Sequence, residues 1–229
     1  MLNVDPAKPS GKGGLNIEEI ETIVNECPKV CRKKFDLTFD GEKMHMYPLF
    51  SLVSHQAPVS LVEKVFRENP LFVNDERDKY GQTIIHYAVR FNQPPIDTLN
   101  YLIHRSPLSL EAWDLQKRSP LHTACANIGN ADQVIQFLLK ETPFHVLSTP
   151  DKGGNLPLHL ALNNQKCSLE LVKSLVDSHE KLLALKTRTG ELPLKLAQKR
   201  GFSDDIQGYI LSKTPADEIT TEYLPLALR

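Results

Sequence analysis

One eleven-residue phrase, closing on His-x-Ala, recurs at an almost fixed interval. It reads Asp78-Lys-Tyr-Gly-Gln-Thr-Ile-Ile-His86-Tyr-Ala88, then Asp114-Leu-Gln-Lys-Arg-Ser-Pro-Leu-His122-Thr-Ala124, then Asp151-Lys-Gly-Gly-Asn-Leu-Pro-Leu-His159-Leu-Ala161. A worn copy follows at Thr187-Arg-Thr-Gly190-Glu-Leu-Pro-Leu-Lys195-Leu-Ala197. The step is 36 residues from His86 to His122 and 37 from His122 to His159. A period in this range predicts a stack of similar units, each burying its apolar face only against its neighbours. Such stacks offer extended binding surfaces more often than catalytic pockets.

The 229 residues are 41% hydrophobic and 24% charged, ordinary for a soluble globular protein. A single core would be near its size limit at this length, whereas a stack has no such limit. The net charge of −1 gives no bulk pull toward nucleic acid or membrane. No apolar run approaches the ~20 residues that span a bilayer, and the N-terminus lacks the order of a secretory signal. Cys125 and Cys167 fall inside repeats as small buried residues, Cys27 and Cys31 are four apart, and no Asn-x-Ser/Thr acceptor occurs. A reducing, intracellular setting, cytoplasmic or nuclear, is the expectation, without a disulfide framework.

Residues 1–14 hold two Pro and three Gly with scattered apolar side chains, and read as a disordered tail. Residues 15–41 turn helical, with Leu15, Ile17, Ile20, Ile23 and Val24 at three- and four-residue steps, and predict an N-terminal helical cap. The repeat array is expected over 42–214, as about five units, with a degraded turn phrase at Glu42–His45. Each unit is a turn, a short helix, a tight link and a longer helix. The long helices are expected near 60–68, 96–106, 131–142, 168–179 and 203–214, and Pro70, Pro107, Pro143 and Pro215 stop four of them. Residues 215–229 form a C-terminal cap or tail. The fold class is all-α, a solenoid of helix-turn-helix units joined by β-turn-like loops.

The phrase resembles Asp-x-x-Gly-x-Thr-Pro-Leu-His-x-Ala of the ankyrin repeat. It is nearly complete at Asp151–Ala161 and good at Asp78–Ala88 and Asp114–Ala124. Two departures stand out. Lys117 occupies the position of Gly81, so that turn needs another backbone solution or a strained one. The units also run three to four residues longer than the family's 33, with a Pro-marked loop after the second helix. The resemblance implies that each His hydrogen-bonds its turn and ties neighbouring units together.

A metal bridging the three His residues is excluded on geometry. Equivalent positions in stacked helices lie ~8–10 Å apart, and zinc ligands must converge to ~2 Å from one ion. No phosphate loop, zinc-peptidase motif, serine elbow or dinucleotide fingerprint occurs, so neither enzyme activity nor a cofactor is expected. Asp78, Asp114 and Asp151 recur with the fold and are read as turn formers.

Positions that vary while the frame holds are the binding candidates. The resemblance puts the turn tips and the open side of the first helix on a concave binding face. The partner-binding candidates are Lys79, Tyr80, Arg90, Phe91, Lys117, Arg118, Lys152, Asn155, Arg188, Lys199 and Arg200. Their charges are nearly all positive in a neutral chain, which favours a protein partner with an acidic surface or segment. The same residues also serve to keep loops soluble, and the sequence leaves both readings open. The expected function is a non-enzymatic adaptor or a subunit of a larger complex, as a monomer or within a hetero-complex. Nucleic-acid association through the same basic stripe is the alternative, disfavoured by neutral charge and few aromatics.

Overall fold

The computed structural model describes residues 17–39, 42–70, 76–90, 95–127 and 132–216. The expected tail at 1–14, Phe91 and the chain beyond Ala216 lie outside these residues. The chain divides into two compact units, Met1–Leu115 and Gln116–Arg229.

The first unit opens with α1 (Ile17–Glu26), a 3-10 turn at Pro28–Arg32, and an antiparallel hairpin of β1 (Phe35–Phe39) and β2 (Glu42–Met46) pairing Phe35 with Met46 and Phe39 with Glu42. The expected cap is therefore helical only in its first half. Residues Phe35-Asp-Leu-Thr-Phe alternate with the two-residue period of a strand, and Asp40-Gly41 is a strong hairpin sequence. What sequence suggested as a degraded turn at Glu42–His45 is the second strand. The 3-10 turn packs on α3 (Val59–Glu68), where Arg32 Nε donates to the Glu68 carbonyl at 2.7 Å, and Lys34 pairs with Glu76. This segment buries Ile20, Val24 and Cys31.

Helix pairs follow. In the first unit α2 (Pro48–Ser54) packs on α4 (Ile84–Arg90), and α3 on α5 (Ile96–Arg105). Edge-to-face ring pairs sit at both junctions: Phe50 with Tyr87 at 4.9 Å and Phe66 with Tyr101 at 5.5 Å between centroids. In the second unit the short helices α6 (Pro120–Ala126), α9 (Pro157–Leu162) and α11 (Pro193–Lys199) stack in order. The long helices α7 (Asp132–Glu141), α10 (Leu169–Ser178) and α12 (Asp204–Lys213) stack beside them. The short helices have six or seven residues, too few to be stable alone. In α4 and α9 the sequence is apolar nearly all round, and every residue from Ile84 to Val89 and from Pro157 to Leu162 is buried. Pro at the first helical position of α6, α9 and α11 pre-sets the backbone where its missing N–H costs nothing. The long helices are amphipathic, burying Leu99, Leu102 and Ile103 in α5 and Leu171, Val172, Leu175 and Val176 in α10. Ser168 joins neighbours in one stroke. Its hydroxyl accepts the Leu171 N–H at 3.0 Å as the cap of α10 and donates to Asp132 of α7 at 2.6 Å.

The extra residues per unit have a structural use. The prolines after the long helices do more than stop them. Pro107 starts a 3-10 turn, Pro107–Glu111, and Pro143 precedes the one-turn helix α8 (Phe144–Leu147). A third turn of this kind spans Glu180–Ala184. Each buries apolar side chains: Leu110, then Val146 and Leu147, then Leu182 and Leu183. The longer unit thus adds a third small helical piece to its core.

The recurring histidines are wholly buried. The ring Nδ1 accepts a backbone N–H from the start of its own helix: Thr83 to His86 at 3.2 Å, Ser119 to His122 at 3.3 Å, Leu156 to His159 at 3.1 Å. Carbonyls of the following unit act on the ring as well, Asn155 and Thr149 on His122, Leu185 and Glu191 on His159. Burial outweighs them and holds both imidazoles at a pKa of about 4, below the ordinary 6.5. The rings are therefore neutral at pH 7, with Nδ1 as acceptor and Nε2 left to donate.

Leu121 of α6 and Leu158 of α9 are core residues, at 1% and 0% exposure. Leu→Ala at either should cost about 2–5 kcal/mol in a urea melt, whereas Lys79→Ala on an exposed tip should stay within about 0.5 kcal/mol. The histidines predict acid sensitivity. Below 6.5 the unfolded chain takes up protons that the folded rings refuse. Their contribution is complete above pH 6.5 and is lost as pH falls toward about 4. His122→Gln should cost about 1 kcal/mol at pH 7 and flatten the fall in unfolding free energy between those limits. An unchanged pH profile in that variant would contradict a buried neutral ring.

Candidate binding surface at the turn tips

Three of the four turns are organised by one side chain, Asp78, Asp151 or Thr187. Asp151, 6% exposed, accepts the N–H groups of Gly153 and Asn155 on Oδ1, both at 2.8 Å, and the Asn155 amide at 3.1 Å. Its Oδ2 takes Arg118 Nε of the preceding unit at 3.2 Å. Asp78 repeats the pattern, accepting from Tyr80 and Gln82 N–H at 2.8 and 2.7 Å and from the Tyr87 hydroxyl at 2.9 Å. Thr187 replaces Asp in the worn copy, and its hydroxyl accepts the Glu191 N–H at 3.1 Å. The aspartates are turn formers, as their recurrence suggested.

Successive tips are joined through the backbone. Leu115 N–H donates to the Tyr80 carbonyl at 2.8 Å in the first unit. In the second, Lys152 donates to Gln116 at 2.9 Å and Arg188 to Gly153 at 3.3 Å. The second residue of each phrase thus bonds to the third residue of the phrase before it. This contact explains the glycines. A Cβ on Gly154 would overlap the backbone nitrogen of Arg188, and Gly154 has φ +77°. Lys117 adopts the same left-handed backbone at φ +55°, so the turn keeps its geometry and carries the strain.

The tip and helix candidates separate by what their side chains touch. Lys117, Lys152 and Arg188 are exposed. Lys117 and Lys152 make no ion pair among the described residues, and Arg188 reaches only the Lys152 carbonyl, at 3.5 Å. Lys79 and Tyr80 are exposed as well, with the ammonium 5.0 Å from the ring centroid. The others serve the stack. Arg118 pairs with buried Asp151, Asn155 closes its own turn, and Arg90 donates to Gln82 at 3.2 Å. Lys199 pairs with Glu191 at 2.7 Å, which holds that carboxyl below its usual range. Arg200 clamps Asn163 of the unit before with Nε at 3.1 Å and Nη2 at 2.8 Å. Sequence could not separate these groups, because a paired and an unpaired arginine read alike. It also passed over Lys195, which stands in the histidine register yet is exposed. No later unit among the described residues covers that position, so a charge is tolerated where His is buried elsewhere.

Cys125 and Cys167 are buried free thiols. Burial pushes Cys125 well above the ordinary thiol range and Cys167 up to about 12, so neither presents a thiolate. Among the described residues no three His, Cys, Asp or Glu side chains converge as a metal site, and no helix is long and apolar enough to cross a membrane.

The stacked helix pairs, the buried histidines of α4, α6 and α9 and the bonded turn tips define a class. The profile of ankyrin repeats, in three copies, matches residues 49–149 and 96–187, well over half of the chain. The chain belongs to the ankyrin-repeat family. It is 32% identical over 113 residues to an ankyrin repeat-containing protein of Schizosaccharomyces pombe, an alignment covering 49% of this chain and 47% of that one. It is 26% identical over 117 residues to human transient receptor potential cation channel subfamily A member 1, covering 51% of this chain and 10% of the channel. The matched stretch is thus about half of the first relative and a small part of the second. Ankyrin repeats as a class mediate protein–protein contacts and are typically non-enzymatic.

Lys117→Gly should relieve the left-handed strain and raise stability by roughly 0.5–1 kcal/mol, net of the entropy Gly adds to the unfolded chain. Arg118→Ala should lower it by about 1–2 kcal/mol, through a lost charge-assisted bond to Asp151. Thermal and urea melts of the two variants, moving in opposite directions, would check both.

Proposed function

We propose that this chain is a non-enzymatic adaptor, and that its second unit docks an acidic segment of a partner protein along the turn tips. One observation carries the reading. The three acids of these turn phrases are engaged internally, Asp114 by the Gln82 amide at 3.5 Å, Asp151 by Arg118 and Glu191 by Lys199. Lys117, Lys152 and Arg188 are left as exposed positive charge with no carboxylate among the described residues paired to them. Their tips are joined by backbone bonds while their side chains are exposed to water, which suits a charged docking row. Arg118, Asn155, Lys199 and Arg200 support this row from within the stack. In the first unit Lys79 and Tyr80 form the comparable exposed tip.

Lys117→Glu with Lys152→Glu should leave the circular dichroism and melting temperature close to those of the parent. Neither side chain is packed, unlike Arg118, whose reversal would set two carboxylates together. The pair should slow association with a poly-glutamate probe severalfold at low salt and flatten the salt dependence of the rate. Equal rates for parent and variant across low and high salt would remove the tips from the docking surface.

A further inference from the structure

Resting on that reading, we infer that the segment docked on the second unit is extended, in the polyproline II conformation, with an acidic residue at every third position. The argument is one of matched periods. Lys152 and Arg188 occupy the same place in adjacent turn phrases, and each donates its N–H to the tip before it, at 2.9 and 3.3 Å. Their spacing is therefore that of the stack, ~8–10 Å for packed helices. Lys117 lies on the tip that Lys152 bonds to through Gln116, two places further along its phrase than Lys152 and Arg188 stand in theirs, and adds one more exposed charge to that tip. A polyproline II chain has three residues per turn and rises ~3.1 Å per residue, so one face repeats every ~9 Å. Carboxylates at positions i and i+3 then meet Lys152 and Arg188 on successive tips, on a single face and without bending the chain, and a third at i−3 reaches the tip that carries Lys117.

The other regular conformations fit less well. A β-strand alternates its faces, so positions i and i+3 point opposite ways. A helix reaches the same spacing only with seven residues per charge, and helices that dock do so by filling an apolar groove. The exposed tip residues beside these cations in the chain are Leu115, Gln116, Gly153, Thr189 and Gly190, a single apolar side chain and no apolar groove. Duplex nucleic acid carries a phosphate every ~3.4 Å of each strand, a charge spacing about a third of this one. A polyproline II segment also arrives preformed and so loses little chain entropy on docking.

Isomeric nine-residue peptides test the period on the full chain. One carries Glu at positions one, four and seven with Pro elsewhere. The other has the same composition with its three Glu adjacent. Affinities are read by fluorescence anisotropy at low salt. The spaced peptide should bind about tenfold tighter. Lys152→Gln, an exposed position, should bring the two peptides to the same affinity. Equal binding of both by the parent would overturn the period while leaving the acidic-segment reading intact. Binding of neither would overturn the reading as well. A single-stranded or duplex oligonucleotide of matched charge binding tighter than both would make nucleic acid the occupant and overturn both.

Discussion

The junction between units is the constraint on which everything else rests. A six- or seven-residue helix such as α6 or α9 cannot pay the entropy of its own nucleation, so it exists only while a neighbour covers it. The buried imidazole makes that dependence directional. His122 anchors the start of its own helix through Nδ1 and faces the carbonyls of the next turn with its other side. Neutrality is required for both roles, since a protonated ring would lose its acceptor and sit charged where water is excluded. The low pKa and the stacking are thus two consequences of one placement.

The turn tips inherit their spacing from this rigidity. Asp151 binds its own loop and the preceding unit at once, and the backbone bonds from Lys152 to Gln116 and from Arg188 to Gly153 fix the tips at the period of the stack. Side chains on a frame held this way can vary freely without loss of fold. That is why the same phrase tolerates Lys, Leu or Arg at its second position. Lys117 shows the limit of that tolerance. It adopts a left-handed backbone where Gly81, Gly154 and Gly190 stand in the other phrases.

Much was legible in the sequence because it follows from local rules. The period, the helix boundaries to within a residue or two, the buried Leu121 and Leu158, and the structural character of the Asp and His series were readable from apolar spacing, turn chemistry and proline placement. The same local rules were available for Phe35–Phe39, whose two-residue alternation was overridden by the helical pattern before it. The Pro-marked loop reads as extra chain from the length of the repeat alone. That it forms a further turn burying Leu110, Val146 or Leu182 depends on a surface presented by other segments, which no local rule contains.

The candidate surface divides in the same way. Sequence determined the row of cations, since position in the phrase fixes which residues stand at the tips. Only tertiary structure decided which of them are spent. Arg118 meets Asp151 and Arg200 meets Asn163 across 33 and 37 residues of chain, while Lys117 and Lys152 remain exposed. A charge is the same letter whether or not a carboxylate from the next unit lies within 3.2 Å of it. The pairing is set by stacking distance, and stacking distance is a property of the folded array alone.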